Sequence, residues 1–367
     1  MPFLLRGNKK PARRVALGGL DRSLVCRVDG HHSARPSRAF IFHRISPADD
    51  GRKTSVRGAF GLRWSGSTGH FRRLRGQSPR SVAAAPQAPP LGSFEERFAE
   101  VGGRRVRYLV GGAGPPLVLV HGWGGSASNW AVLAPDLARR RRVIVPELPG
   151  HGGSERVPRA STLAPYAETV AAAVEQEDAS PAPVVGHSLG GVVSLRLALL
   201  RRGAVSGLVM ASAAGISSST PQALRLMTLA GFLKGGRKVA PFRHRIARSD
   251  RLKKAAFGYW FAADPPALSA RAVHGFLEGH TRHTDTDTAW RALVKDDPRS
   301  DLHGIGCPAL VLWGARDNQL PLDDAFDYAR RLRAPLRIIP DCGHLLIGER
   351  PDACLDAIEG FLEMHDL

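Results

Sequence analysis

The sequence has few cysteines and no long apolar run. Its 367 residues contain four cysteines, which show neither C-x-x-C spacing nor the density of a disulfide scaffold. They are Cys26, Cys307, Cys342 and Cys354. We therefore expect a reducing compartment and predict a cytoplasmic protein. No apolar run approaches the ~18 residues of a membrane-spanning helix, and the apolar start, Phe3 to Leu5, is too short for a secretory signal.

Cofactor motifs are missing as well. The sequence contains no phosphate loop, no dinucleotide fingerprint and no cluster with metal-ligand spacing. The stretch "HTDTDTAW", residues 283–290, superficially resembles a calcium loop but lacks the glycine and the terminal glutamate at the required spacing. We interpret it as a helix start, and we expect neither a metal nor a cofactor.

Acidic residues are scarce at the N-terminus. Residues 1–92 hold 18 Lys and Arg against four Asp and no Glu, and they account for most of the net charge of +19. They show no sustained hydrophobic period and end in a Pro/Ala stretch, so we predict a basic, disordered extension. An organelle-targeting segment, a polyanion-binding tail and translation from a misassigned start all remain open. We expect no nucleic-acid binding by the rest of the chain.

From residue 94 onward, apolar runs alternate with amphipathic stretches. A hairpin is predicted over 94–112 with its turn at Gly102 and Gly103, followed by several uninterrupted apolar runs typical of buried strands. Strands alternating with helices predict a parallel sheet with helices on both faces, formed by residues 93–213 and 305–367. Residues 214–304 lack strand runs and favour short amphipathic helices, which predicts a helical lid inserted into the sheet.

Ser188 stands in a strand-to-helix turn, "PVVGHSLGGVV". Gly186 and Gly190 flank it at two residues on either side, where they remove Cβ atoms from a tight turn and allow a strained serine backbone. The hydroxyl would then lie at the N-terminus of a helix whose apolar residues, through Leu200, predict burial on most of its surface. This Gly-x-Ser-x-Gly pattern is that of a nucleophile elbow.

Acyl transfer at a serine needs a base, an acid that orients the base, and donors for the oxyanion. His344 and Asp317 each follow an apolar strand, at the sheet edge where ligands bind, and the order Ser188, Asp317, His344 suits this type of sheet. Asp341 precedes His344 by only three residues and is disfavoured as the orienting acid.

The oxyanion donors are predicted to be two backbone N–H groups. One belongs to Leu189 and the other to Trp123, whose indole would also cover an acyl pocket. The supporting loop residues are His121, Gly122, Gly124, Gly125, Gly186 and Gly190. The candidate pocket residues are Trp123, Phe232, Phe257, Trp260, Phe261 and Phe276. Structural roles are expected for His121, His151 and His187.

Five motifs in order resemble those of the α/β-hydrolase superfamily, in its lid-bearing branch. They are "HGWGGS", "ELPGHGGS", "GHSLGG", "WGARDNQLP" and "CGHLLIGERPD", and the resemblance covers residues 94–367. It implies a mostly parallel eight-stranded sheet with an inserted lid, and a carboxylesterase-like enzyme with a Ser188–Asp317–His344 triad. The implied substrate is a small to medium acyl compound: an ester, thioester or lactone.

Other functions remain open. A serine at the elbow argues against the epoxide hydrolases and haloalkane dehalogenases, which place an aspartate there. C–C bond hydrolases tend to carry Asn-Ser-Met where this chain has His187-Ser188-Leu189, whereas haloperoxidase-like and acyltransferase members would use the same triad. The remaining alternative is a non-catalytic ligand receptor or scaffold.

Overall fold

The computed structural model describes residues 91–158, 162–219, 235–258 and 260–367. Residues 1–90 of the predicted extension and the candidate pocket residue Phe232 therefore lie outside the described residues. In the described part of the chain, no helix is long and apolar enough to cross a membrane.

The described residues form an eight-stranded sheet. Its strands are β1 Glu95–Val101, β2 Arg104–Gly111, β3 Pro116–Val120, β4 Arg142–Pro146, β5 Ala182–His187, β6 Val205–Ala211, β7 Ala309–Gly314 and β8 Leu336–Ile339. The spatial order is β1-β2-β4-β3-β5-β6-β7-β8. Strands β3 to β8 are parallel to one another, and β2 is antiparallel to both β1 and β4. The predicted mostly parallel eight-stranded sheet is confirmed.

The first two strands form the predicted hairpin. Val101 pairs with Arg104, and the two residues between them, Gly102 and Gly103, have φ values of 56° and 70°. A two-residue hairpin turn with positive φ at both positions matches the twist of its strands, and glycine adopts it without steric cost.

Helices cover both faces of the sheet. They are α1 Ala134–Leu137, α2 Ala164–Gln176, α3 Leu189–Leu200, α4 Gly235–Val239, α5 Arg243–Ala247, α6 Asp250–Phe257, α7 Ala270–Glu278, α8 Asp287–Lys295, α9 Leu322–Leu332, α10 Leu346–Glu349 and α11 Pro351–Met364. Within β3, Val118 and Val120 join one buried cluster with α2, α3 and α9, whereas Leu117 and Leu119 join a second with α1 and α11. Successive side chains of a strand point to opposite faces, so both faces of the sheet are buried as predicted.

The segment of residues 214–304, between β6 and β7, is called the insertion here. Its described helices are α4 to α8. Its described residues contain no strand, although Gly258 and Ala262 form an isolated bridge. Helix α8 begins at Asp287, which agrees with the predicted helix start, and it buries Ala289 and Trp290 among other residues. The function of the insertion as a lid stays a prediction.

The sequence analysis overestimated the burial of α3. Its side chains are buried from Leu189 to Leu195 and again at Leu197, but Leu199 is half-buried and Leu200 is 49% exposed. Apolar composition alone does not reveal where along a helix the buried face ends.

A buried carboxylate joins the end of α2 to the hairpin. Both oxygens of Glu177 lie 2.8 Å from Nη1 of Arg97, and Tyr108 Oη donates to Glu177 Oε1 at 2.9 Å. Glu177 is 6% exposed, so its charge is compensated by these protein partners rather than by bulk water.

We expect Glu177→Ala to lower the free energy of unfolding by about 2–3 kcal/mol, because Arg97 and Tyr108 lose a charged acceptor. Glu168→Ala is the control on the same helix, since its ion pair with the exposed Arg201 should be worth at most about 1 kcal/mol. Urea unfolding measures the free energy of unfolding of both variants. Equal decreases in the two variants would contradict the stabilising role of Glu177.

Candidate active site

Ser188 occupies a strained turn between β5 and α3. Its φ and ψ are 54° and −118°, which few residues other than glycine adopt. A Cβ on Gly186 would lie 2.3 Å from the Gly190 carbonyl oxygen, and a Cβ on Gly190 would lie 2.2 Å from the oxygen of Val120. Both glycines are therefore required by backbones that approach too closely for a side chain.

Three backbone hydrogen bonds hold this conformation. Ser188 N–H donates to the Ala211 oxygen at 3.0 Å, and the Ser188 oxygen accepts from Gly191 and Ala214, each at 3.0 Å. The serine is thereby fixed to the end of β6 as well as to its own helix. Its side chain is only half-buried.

The structure brings Ser188, His344 and Asp317 together in one hydrogen-bonded chain. His344 Nδ1 lies 2.9 Å from Asp317 Oδ2, and His344 Nε2 lies 3.0 Å from Ser188 Oγ. Since an ionised carboxylate only accepts, Nδ1 carries the proton and Nε2 is left to accept from the serine hydroxyl. This is the arrangement of a nucleophile, a base and an orienting acid.

The Asp317 carboxylate is held in its ionised form. Its second oxygen, Oδ1, accepts from the backbone N–H groups of Gln319 at 2.9 Å and Leu320 at 3.0 Å. Burial acts to raise the pKa of Asp317, but the attraction of His344 and these hydrogen bonds outweigh it and lower the pKa below its ordinary value. By contrast, Asp341 is exposed and lies 3.4 Å from Arg316.

The Gly-rich loop, residues 121–125, follows β3 and lies against the serine. A Cβ on Gly122 would come within 3.1 Å of Ser188 Cβ. His121 Nδ1 donates to the Gly122 oxygen at 2.8 Å, while its Nε2 accepts from Leu148 N–H at 3.0 Å. The Gly122 carbonyl belongs to the same peptide group as the Trp123 N–H, so His121 orients that predicted oxyanion donor.

Neither predicted oxyanion donor is engaged elsewhere. The backbone N–H groups of Trp123 and Leu189 donate to no other described residue. Leu189 is the first residue of α3, where N–H groups have no partner within the helix. Both donors are thus available to a substrate oxygen, and their role in binding an oxyanion stays a prediction.

His187 lies beneath the site. Its Nε2 donates to the backbone oxygen of His344 at 2.9 Å, and the two rings are 5.1 Å apart. Burial, reinforced by the nearby His344, lowers the pKa of His187 to about 3, and burial lowers the pKa of His121 to about 4. Both imidazoles are neutral at physiological pH, in keeping with structural roles.

Sequence analysis overlooked Glu349 at the end of α10. Its carboxylate accepts from the N–H groups of Gly343 at 3.0 Å, Ala263 at 3.2 Å and Asp264 at 2.8 Å. It is 2% exposed and ties the loop that carries His344 to the insertion. Its place in "CGHLLIGERPD" marked it as part of a motif, but two of its three partners lie about 85 residues earlier in the chain.

The candidate pocket aromatics fall into two groups. Phe257 and Phe276 are buried and pack edge-on with ring centroids 6.5 Å apart, whereas Trp260 and Phe261 are 48% and 43% exposed. Trp123 is half-buried, and its indole N–H donates to the backbone oxygen of Thr286 in the insertion at 2.8 Å. Their contact with a substrate stays a prediction.

A cavity of about 580 Å³ is lined by none of the candidate pocket aromatics that the structure describes. Its lining includes Glu96, Arg107, His274 and Arg282, and it includes none of Ser188, Asp317 and His344. Among the described residues, no three His, Cys, Asp or Glu side chains are arranged to hold a metal ion.

Comparison with known proteins places this geometry in context. A family model described as "alpha/beta hydrolase fold" matches residues 115–351. The chain is 33% identical to the dihydrolipoyllysine-residue acetyltransferase component of the acetoin cleaving system of Pseudomonas putida, over 73% of this chain and 69% of that protein. It is 31% identical to the pimeloyl-(acyl-carrier protein) methyl ester esterase of Aromatoleum aromaticum, over 67% and 97% respectively.

Solved structures show the same fold. A putative lipase from Acinetobacter baumannii superposes with a TM-score of 0.62 at 23% identity, covering 75% of this chain and 93% of that one. At this identity the similarity establishes the fold alone.

The buried histidines predict a loss of stability in acid. The native pKa of His187 is about 3, below the ordinary 6.5 that applies in the unfolded chain. As pH falls below 6.5, the unfolded chain binds a proton that the native protein does not, so unfolding becomes more favourable. At pH 5.5 the loss is about 1.4 kcal/mol for this histidine.

Urea unfolding at pH 7.5 and pH 5.5, for the wild type and His187→Asn, measures this effect. We expect the variant to lose about 1.4 kcal/mol less than the wild type between the two pH values. An identical pH dependence in both proteins would rule out His187 as one of the groups responsible.

Proposed function

The chain belongs to the α/β hydrolase fold family, and we propose that it cleaves a small to medium carboxylic ester, thioester or lactone through an acyl-enzyme. The observation that carries this proposal is the hydrogen-bonded chain from Ser188 through His344 to Asp317. A serine nucleophile forms an acyl-enzyme only with an acyl carbon, so the substrate class follows from the nucleophile.

In the acylation half, Ser188 Oγ attacks the carbonyl carbon while its proton passes to His344 Nε2. The N–H groups of Trp123 and Leu189 stabilise the negative oxygen of the tetrahedral intermediate. His344 then gives the proton to the leaving alcohol or thiol as its bond to the acyl carbon breaks. The acyl group remains esterified to Ser188.

In the deacylation half, a water molecule takes the place of the leaving group. His344 accepts a proton from it, the resulting hydroxide attacks the acyl carbon, and the proton returns to Ser188 as the carboxylic acid leaves. Asp317 stays ionised throughout, which its lowered pKa favours, and stabilises the imidazolium formed in each half.

Acyl transfer is the second candidate, because the relative from Pseudomonas putida is named an acetyltransferase component. The same acyl-enzyme would then react with an alcohol or thiol instead of water. Added acceptor that diverts a radiolabelled acyl group from the free acid into a new ester or thioester would favour this candidate. An unchanged yield of free acid would favour hydrolysis.

We expect a fluorophosphonate probe to label the full chain at Ser188, as located by peptide mass spectrometry. Ser188→Ala should retain its fold and should not be labelled. Its rate of p-nitrophenyl ester hydrolysis should fall by at least about a thousandfold. Ser300→Ala is a matched control, since this exposed hydroxyl donates only to Asp301, and it should behave as the wild type.

Labelling at another residue, or ester hydrolysis that survives in Ser188→Ala, would refute the proposed nucleophile. A folded wild type that neither labels nor hydrolyses p-nitrophenyl esters of two to eight acyl carbons would favour the receptor or scaffold alternative.

A further inference from the structure

We propose that His283 is a positioning residue that couples the insertion to the Gly-rich loop and so holds the oxyanion donor of Trp123 in place. This inference rests on the proposed function, because it assigns a role to a residue of the same reaction. It concerns the first residue of the stretch "HTDTDTAW", for which the sequence predicted only a helix start.

Each nitrogen of the His283 imidazole bonds to a different core loop. Nε2 donates to the backbone oxygen of Gly124 at 2.7 Å, and Nδ1 accepts from the N–H of Gly152 at 3.1 Å. The first loop follows β3 and the second follows β4. Only the neutral tautomer with its proton on Nε2 satisfies both bonds.

The next three residues of the insertion extend this attachment. The N–H groups of Thr284 and Asp285 both donate to the Gly150 oxygen, at 3.0 and 3.1 Å. The oxygen of Thr286 accepts from the Trp123 indole N–H at 2.8 Å. Residues 283–286, which we call the clasp, therefore make five hydrogen bonds to the two core loops.

The fit between the clasp and the core is close. A Cβ on Gly150 would lie 2.0 Å from the Asp285 oxygen, so the two backbones touch with no room for a side chain. Trp290 of α8 also packs edge-on against Trp123, with ring centroids 6.0 Å apart. The insertion thus holds the indole of Trp123 by packing as well as by a hydrogen bond.

The Gly-rich loop depends on such external contacts. Gly124 has a φ of 67°, and glycines restrict a backbone less than any other residue. An oxyanion donor stabilises the transition state only if it is already fixed in direction before the charge develops. The chain is fixed on either side of the Trp123 N–H: His121 of the Gly-rich loop orients the preceding carbonyl, while His283 of the clasp holds the carbonyl of Gly124.

Protonation of Nδ1 would break the bond between His283 and Gly152, because the new N–H of the ring would point at the backbone N–H of Gly152. The charged or titratable side chains that act on His283 are His121, His151, His280, Glu147 and Arg237. Burial lowers the pKa of His283 below its ordinary value, while Glu147 and the hydrogen bond to Gly124 oppose the shift. The bond from Gly152 to His283 therefore holds at neutral pH and is lost as pH falls through this lowered pKa.

The test measures kcat and KM of the full chain for p-nitrophenyl butyrate at pH 7.5. We expect His283→Ala to lower kcat by about tenfold to a hundredfold with KM within about threefold of the wild type. His283→Gln should recover kcat to within about threefold, because an amide can donate to Gly124 and accept from Gly152. The Gln variant should also lose less activity than the wild type as pH is lowered.

Thr288→Val is the control for lost stability. It removes the hydrogen bond from Thr288 Oγ1 to Asp285 at the start of α8 but none of the five bonds of the clasp. We expect its melting temperature to fall while kcat stays unchanged. If it loses as much activity as His283→Ala, the effect is one of stability and the proposal is overturned.

The remaining outcomes are separable. A wild type that neither labels at Ser188 with fluorophosphonate nor hydrolyses the ester contradicts the proposed function itself. With an active wild type, an unchanged kcat in folded His283→Ala, or a Gln variant as impaired as the Ala variant, overturns the role of His283. If His283→Ala does not fold, Trp123→Phe replaces it. This substitution removes the indole N–H that donates to Thr286 and reduces the ring that packs on Trp290, so both contacts with the insertion are weakened. An undiminished kcat in this variant overturns the coupling.

Discussion

The positive φ of Ser188 is the constraint on which the rest of the site depends. A conformation of this kind costs about 1–3 kcal/mol and persists only where surrounding structure enforces it. Here the enforcement comes from the ends of three neighbouring parallel strands. The Val120 oxygen of β3 lies where a Cβ on Gly190 would be, β5 leads into the turn, and Ala211 of β6 accepts from the Ser188 N–H. The strain is thus balanced by a buried sheet, and it directs the hydroxyl towards His344.

Around this fixed point, the insertion is attached to the core on two sides. Glu349 joins it to the loop that carries His344, and the clasp joins it to the Gly-rich loop. Any movement of the insertion would therefore displace both His344 and the N–H group of Trp123, the predicted oxyanion donor. The insertion is thereby linked to the two loops that carry the predicted catalytic groups.

Much of the architecture could be predicted from the sequence because it depends on local pattern. The hairpin turn at Gly102 and Gly103, the buried strands and the start of α8 all follow from residue types at short spacing. The proximity of Ser188, Asp317 and His344 was predictable because the carboxyl ends of parallel strands meet at one edge. The exposure of Leu200 could not be predicted, because apolar periodicity does not report where along a helix the buried face ends.

Glu349 and His283 escaped sequence analysis for a different reason. Their partners lie in other loops: about 85 residues away for Glu349, and 131 and 159 residues away for His283. A single carboxylate or imidazole in a polar stretch resembles any solvated side chain until the loops are brought together. Such contacts between loops are set by how the insertion packs, and no short-range pattern encodes that.

The proposed function requires that the hydrogen bonds of Ser188, His344 and Asp317 make Ser188 a nucleophile that becomes acylated. Rapid-quench measurement of p-nitrophenol release, followed by mass spectrometry of the quenched protein, detects such an intermediate. We expect an initial burst of about one p-nitrophenol per active site and an acyl group on the peptide that contains Ser188. Turnover with no burst and no adduct at Ser188, under conditions where deacylation is slowed, would contradict it.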